Sequence, residues 1–319
     1  MKISILGTGA YGMAIASVLH YNKHSIKMWT NSNEEANYLN TNKKSPKVNY
    51  DIPSDIIIST NMKDVVSDSD VIIFATPSEF VSGVSKELSN YYNNQYIGIT
   101  SKGIDNKSLL CLSDVVKMNI STDLIAVISG CTFASDMVRK SVLGINVASK
   151  NLNTLNVISS ILENDYLSVY KTSDVIGTEI CGAIKNIMAI GNGIINGMGF
   201  LESSSAMFIT LATREITDLI KCLGGEVNTI FSFAGIGDLI LTCNSKESRN
   251  FTLGNMMGKK FDTKDYIENT TIEGLYTLHA ITNIVKNNNI NMPIITMIDD
   301  IVNGKKSPDD FIKLLIKLK

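Results

Sequence analysis

At 319 residues the chain exceeds what one hydrophobic core usually serves, so two domains are expected. With 44% hydrophobic and 19% charged residues and a net charge of -2, it reads as a globular protein without the broad positive field that gathers nucleic acid or anionic membrane. Any anionic ligand must then be held by local groups, and neither a nucleic-acid partner nor an integral membrane segment is expected.

The first strand-like run, residues 2–6, starts directly after Met1, leaving no room for a signal peptide, so export is not expected. Five scattered cysteines, Cys111, Cys131, Cys181, Cys222 and Cys243, form no CxxC pair and fit a reducing cytoplasm. From residue 2 to about 172, β-branched runs recur at 3–6, 26–29, 56–59, 71–76, 96–100, 124–129, 145–148 and 167–170, with helical segments between them. This alternation predicts a mainly parallel sheet wound by helices over residues 1–172. The runs at 71–76 and 124–129 are almost wholly apolar, as central strands covered on both faces should be.

Between the first strand and the helical run that follows it stands Gly7-Thr8-Gly9-Ala10-Tyr11-Gly12, a GxGxxG in the context of a dinucleotide-binding, Rossmann-type doubly wound sheet. Gly7 permits a tight turn, Gly9 lets backbone approach a pyrophosphate, and Gly12 allows close helix-strand packing. The motif opens the helical run 13–19, whose N-terminus supplies donors and positive potential. His20 and His24 are four residues apart but flank the end of this helix with no third ligand, so no metal is expected. The acid that usually receives the ribose hydroxyls is missing after Trp29. Thr30, Asn31 and Ser32 stand there, with Glu34 and Glu35 a little beyond, and Asn31 either bonds a ribose or forms a turn.

Ligands of doubly wound sheets sit beyond the carboxyl ends of the strands, which singles out Thr76-Pro77-Ser78, Thr100-Ser101-Lys102-Gly103 and Ser129-Gly130-Cys131-Thr132-Phe133-Ala134. Lys102 either reaches a substrate or is an ordinary surface lysine.

From 173 to 319 the pattern becomes helical, near 175–198, 204–223, 273–288 and 308–317, predicting an all-helical second domain. The apolar stretch from about 180 to 195 is interrupted by Lys185, Asn186 and Asn192, which favours a buried helix over a membrane span. Lys185 is surrounded by apolar or small helical neighbours. It is therefore either used, with burial lowering its pKa toward an acid-base role, or paired to an acid such as Glu179, or snorkelling outward. Gly191, Gly193, Gly197 and Gly199 would weaken an isolated helix, and predict close approach by another segment. Gly235-Ile236-Gly237-Asp238-Leu239 leads through Thr242 to Ser248-Arg249-Asn250. A guanidinium beside hydroxyls and amides suits phosphate recognition without a metal; an exposed helix-terminal arginine is the alternative. His279 stands alone, so no Ser-His-Asp set can be assembled. Ser307, Pro308, Asp309 and Asp310 mark the start of the last helix.

Taken together and in this order, the Gly7–Gly12 motif, Ser101-Lys102-Gly103, Ser129 to Ala134, Gly182-Ala183-Ile184-Lys185-Asn186, Gly235 to Leu239, Thr242-Cys243, Ser248-Arg249-Asn250 and Ile272-Glu273-Gly274 resemble the NAD(P)-dependent glycerol-3-phosphate dehydrogenase family over nearly the whole chain. The resemblance implies hydride transfer between NAD or NADP and dihydroxyacetone phosphate, giving sn-glycerol 3-phosphate for phospholipid synthesis, in a cytoplasmic homodimer. It implies Lys185 as the acid-base group with Lys102 and Asp238 in the catalytic set. Substrate-site positions would be Lys102, Gly130, Thr132, Lys185, Asn186, Asp238, Thr242, Ser248, Arg249 and Asn250. The cofactor would be lined by Gly7, Gly9, Ala10, Tyr11, Gly12, Asn31, Lys102, Ala134, Arg249 and Glu273. Two positions depart from the family: Cys131 replaces a common proline, and Asn31 replaces the His or Arg that could favour a 2′-phosphate. Two rival readings are a related two-domain dehydrogenase of a β-hydroxy acid or another sugar phosphate, and a noncatalytic dinucleotide-sensing protein.

Overall fold

A computed structural model of the chain describes residues 1–318. It divides into two compact units: Met1–Ser101 with Leu112–Val175, and Lys102–Cys111 with the chain from Ile176 onward. A ten-residue stretch, 102–111, thus leaves the first unit for the second, which a single cut in the sequence has no means to express.

The first unit runs β1 (Lys2–Leu6), α1 (Ala10–Tyr21), β2 (Ser25–Trp29), α2 (Asn33–Asn42), β3 (Lys44–Ser45), β4 (Tyr50–Asp51), β5 (Ile57–Ser59), α3 (Met62–Val66), β6 (Val71–Phe74), α4 (Val81–Leu88), β7 (Tyr96–Ile99), α5 (Leu112–Ile120), β8 (Ile125–Gly130), α6 (Ala134–Val138), β9 (Leu143–Ala148), α7 (Leu152–Leu162) and β10 (Leu167–Thr172). Eight strands form one sheet in the order β10-β9-β8-β7-β6-β1-β2-β5. All neighbours are parallel except β8 and β9, which pair antiparallel. The predicted mainly parallel doubly wound sheet is therefore present. The small antiparallel β3–β4 pair was not expected, being two residues per strand with no alternation to read.

β6 and β8 are buried along their whole length, as their unbroken apolar sequences require. Alternate residues feed two separate cores. Ile3, Ile5, Met28 and Ile73 join one with α1 and α7, while Leu6, Trp29, Ile72 and Phe74 join the other with α3, α4 and α5. Strand order reverses at β1, whose neighbours are β2 on one side and β6 on the other, placing the residues after β1 at the topological switch point.

The second unit is helical: α8 (Val175–Gly197), α9 (Glu202–Cys222), α10 (Asp238–Asn244), α11 (Arg249–Gly258), α12 (Lys264–Asn269), α13 (Glu273–Asn287), α14 (Pro293–Val302) and α15 (Pro308–Lys317). Every residue of α8 from Gly177 to Ile195 is buried, and among the described residues no helix is long and apolar enough to cross a membrane. The predicted close approach lies between α8 and α11. A Cβ added at Gly193 or Gly197 would come within 2.2 Å of the Phe251 or Asn255 carbonyl oxygen, and one at Gly254 within 2.0 Å of the Ile190 carbonyl oxygen. Gly191 faces the side chains of Ile298 and Phe208 instead. Gly199 is not part of any seam: it has open space around it and a φ of 89°, the left-handed turn that ends α8. The α15 start matches its sequence, with Pro308 first in the helix and Asp310 accepting from both the amide and hydroxyl of Ser307.

Candidate active site

In the first unit, β1 ends at Leu6 and the chain turns on Gly7, whose φ of 122° and close fit to the Ala75 carbonyl, 2.6 Å from where a Cβ would stand, admit only glycine. A Cβ on Gly12 would lie 2.3 Å from the Gly7 carbonyl oxygen, so this glycine lets α1 begin directly over the strand. Gly9 differs from both. It caps α1 without a side-chain bond, and a Cβ built there meets nothing within 4 Å. An uncapped helix start with no acid in its first turn, formed by Ala10 and Tyr11 and fronted by open space, fits the pyrophosphate of a dinucleotide. Gly9→Val should therefore keep the fold and sharply weaken NADH binding by calorimetry. Unchanged affinity in a folded variant would remove this loop from the cofactor site.

The strand end after β8 closes on the same loop. The Tyr11 hydroxyl and Thr132 Oγ1 are 2.9 Å apart, and Ala134 opens α6. Gly130 has a packing reason of its own, because a Cβ there would stand 2.6 Å from the Gly144 carbonyl oxygen of antiparallel β9. Cys131, in place of a more rigid residue, sets its Sγ 3.4 Å from that same carbonyl. Asn31 is exposed in the bend between β2 and α2. The residue that reaches back to the strand ends is Glu35, whose Oε2 accepts from Thr30 Oγ1 at 2.9 Å. His20 and His24 serve different partners, Asp55 and the N-terminal amine.

In the second unit, Lys102 arrives on the 102–111 excursion, which Gly103 turns at a φ of 143° and Ile104 anchors in the helical core. Its Nζ donates to Asp238 Oδ2 at 2.6 Å, and Lys185 Nζ donates to Asp238 Oδ1 at 2.6 Å and to Thr242 Oγ1 at 3.0 Å. The acid partner of Lys185 is thus Asp238, not Glu179. Asp238 opens α10, where an acid suits the helix dipole, and Gly235 just before it has no room for a Cβ, which would fall 2.2 Å from the Ile230 carbonyl oxygen.

Asp238 is 0% exposed and the two lysine side chains only 11% and 10%. Burial pushes Lys185 down to about 8; Asp238 pulls it back up, while the Lys102 ammonium adds to the depression. Burial alone would raise the Asp238 carboxyl, but the two ammoniums outweigh it and hold Asp238 below its ordinary value. One carboxylate therefore fixes two ammoniums, one of them poised to exchange a proton near neutral pH.

A second chain of bonds runs beside this cluster. Asn186 Nδ2 donates to Glu273 Oε2 at 3.1 Å, Asn250 Nδ2 to Asn186 Oδ1 at 3.0 Å, and the Gly274 amide to Asn250 Oδ1 at 2.8 Å. The glycine seam of α8 and α11 is what brings these residues within reach. Ser248 caps α11 by accepting from the Phe251 amide, and Arg249 is the exposed first residue of that helix.

A family model described as NAD-dependent glycerol-3-phosphate dehydrogenase N-terminus matches residues 2–155, and its C-terminus counterpart matches 174–313. A glycerol-3-phosphate dehydrogenase [NAD(P)+] of Oceanobacillus iheyensis is 32% identical over 99% of this chain and 93% of that protein. One from Thermoanaerobacter sp. is 33% identical over 97% and 94%. The crystal structure of glycerol-3-phosphate dehydrogenase from Coxiella burnetii superimposes with a TM-score of 0.93 at 27% identity, covering 99% of this chain and 98% of that one. Two family models spanning both units, with relatives above 30% identity along almost the full length, place the chain in the NAD-dependent glycerol-3-phosphate dehydrogenase family.

Proposed function

We propose that the chain interconverts dihydroxyacetone phosphate and sn-glycerol 3-phosphate, with Lys185 handling the proton of the C2 oxygen. The observation that carries this is the buried Lys102–Asp238–Lys185 cluster, in which Lys185 is depressed to about 8. A bound nicotinamide supplies the hydride carrier, and the glycine loop is suited to hold its pyrophosphate. Lys185 Nζ gives a proton to the C2 oxygen during reduction and takes it back during oxidation. Asp238 holds Lys185 and Lys102 in place, so that neither ammonium must reorganise as charge develops on that oxygen.

Arg249, exposed at the start of α11, is free of the buried cluster and suits the substrate phosphate. Asn186 and Asn250 spend their amides on each other, on Glu273 and on Gly274, and so act as positioning residues.

Spectrophotometric reduction of dihydroxyacetone phosphate, first with NADH and then with NADPH, tests the reading; absence of turnover with both would overturn it. Arg249→Lys keeps the charge but loses the planar fork, so KM for dihydroxyacetone phosphate should rise by about tenfold or more. The phosphate-free analogue should be affected far less, and an equal penalty on both substrates would show that Arg249 is not the phosphate anchor.

A further inference from the structure

We propose that Glu35, with Lys47 at its edge, decides which nicotinamide dinucleotide the chain accepts: the carboxylate favours the 2′-hydroxyl of NADH, and Lys47 tempers its rejection of the 2′-phosphate of NADPH. This rests on the dinucleotide reading of the first unit.

β1 and β2 run parallel with Leu6 opposite Trp29, so their carboxyl ends finish level. Thr8 follows one end and Thr30 the other. Glu35 faces both: Thr30 Oγ1 donates to Oε2 at 2.9 Å, and the Thr8 hydroxyl lies near enough to help hold the carboxyl below its ordinary value. Lys47, from the turn between β3 and β4, donates to Oε1 at 2.5 Å. In a doubly wound sheet the adenosine ribose lies over the end of this second strand, where an acid reads its 2′-hydroxyl.

The sequence around Glu35 has an ordinary structural use that the structure does not make of it. Ser32-Asn33-Glu34-Glu35 has the spacing of a capping box, in which the glutamate would return to the Ser32 amide. Ser32 does accept from the Glu35 amide at 3.1 Å, but the Ser32 amide lies near Thr30 Oγ1, and the Glu35 carboxylate turns to the strand ends instead. A carboxylate offers about four acceptor positions, of which Thr30 and Lys47 take two, leaving room for a ribose hydroxyl. Its side chain is 25% exposed and that of Lys47 is 48%, so a ligand can reach both.

Other candidates for reading the 2′ position are poorly placed. Asn31 is exposed and neutral. The Lys43 ammonium is held by the backbone carbonyls of Ile56, at 3.0 Å, and Ser54. An ionised Glu35 beside a 2′-phosphate is a like-charge contact, whereas Lys47 released from Glu35 is free to meet that phosphate.

The test is titration of NADH and NADPH, and of the fragments AMP and adenosine 2′,5′-bisphosphate, into the full-length protein and its Glu35→Gln and Lys47→Gln variants. Glutamine at 35 keeps an acceptor for Thr30 while removing the charge, and Lys47 is exposed enough to change without disturbing the fold. Wild type should prefer NADH. E35Q should shift the NADPH-to-NADH affinity ratio toward NADPH by about tenfold or more, since a like-charge contact is removed. K47Q should shift it the opposite way, and the two fragments should repeat both trends. The proposal is overturned if E35Q weakens both dinucleotides equally, which is what mere support of the glycine loop predicts, or if the two variants move the ratio in the same sense. Failure of wild type to bind either dinucleotide would overturn the cofactor reading itself, a distinct result.

Discussion

Lys185→Met should lower turnover by about 100-fold or more while leaving NADH binding essentially unchanged, because methionine retains an apolar stem of similar length and removes only the proton-transfer group. Stability should change little, since Asp238 keeps Lys102 as its partner. The pH dependence in the wild type follows from the depression of Lys185 to about 8. Reduction needs the ammonium, so kcat/KM for dihydroxyacetone phosphate should fall as pH rises through about 8. Oxidation needs the free amine, so kcat/KM for glycerol 3-phosphate should rise across the same interval. Both limbs should vanish in the residual activity of Lys185→Met. A variant with near-normal turnover, or one that keeps both limbs, would remove Lys185 from the acid-base role.

Asp238→Ala should have the largest effect on the fold. It leaves two ammoniums nine-tenths buried, their counterion gone, and removal of one partner from a buried ion pair costs about 3–5 kcal/mol. In a protein of this size the melting temperature should drop by on the order of 10 °C. The loss should come mainly from the stranded charges and not from the missing side chain, so a cycle with Lys185→Met separates the two. The double variant should be less destabilised than the sum of the single changes, because Lys185→Met removes one of those charges. Simple additivity, or a melting temperature within a degree or so of wild type, would show that Asp238 does not hold the cluster together.

What the sequence determined by itself was whatever depends on near neighbours. The glycine loop follows an apolar strand and opens a helix within twelve residues, and alternation of strand and helix is enough for a mainly parallel sheet. Ser307-Pro308 and the acids behind it mark a helix start by cap chemistry alone. Lys185 stood out because an ammonium among mostly apolar and small helical neighbours is costly wherever that helix ends up. The identity of its partner was not legible: Asp238 lies 53 residues from Lys185 and 136 from Lys102, and no local pattern encodes which loop closures bring them together. The same limit hid the passage of Lys102–Cys111 into the helical unit and the antiparallel placement of β9, which depend on packing across the chain. At Glu35 the Ser32–Glu35 spacing suits a helix cap, whereas tertiary contacts with Thr30 and Lys47 hold the carboxylate at the end of β2. At Gly199 composition pointed to a packing seam, whereas the end of α8 required a left-handed turn. Periodicity and capping are decided within a few residues of backbone geometry; the pairing of buried charges is decided only when the whole chain has closed around them.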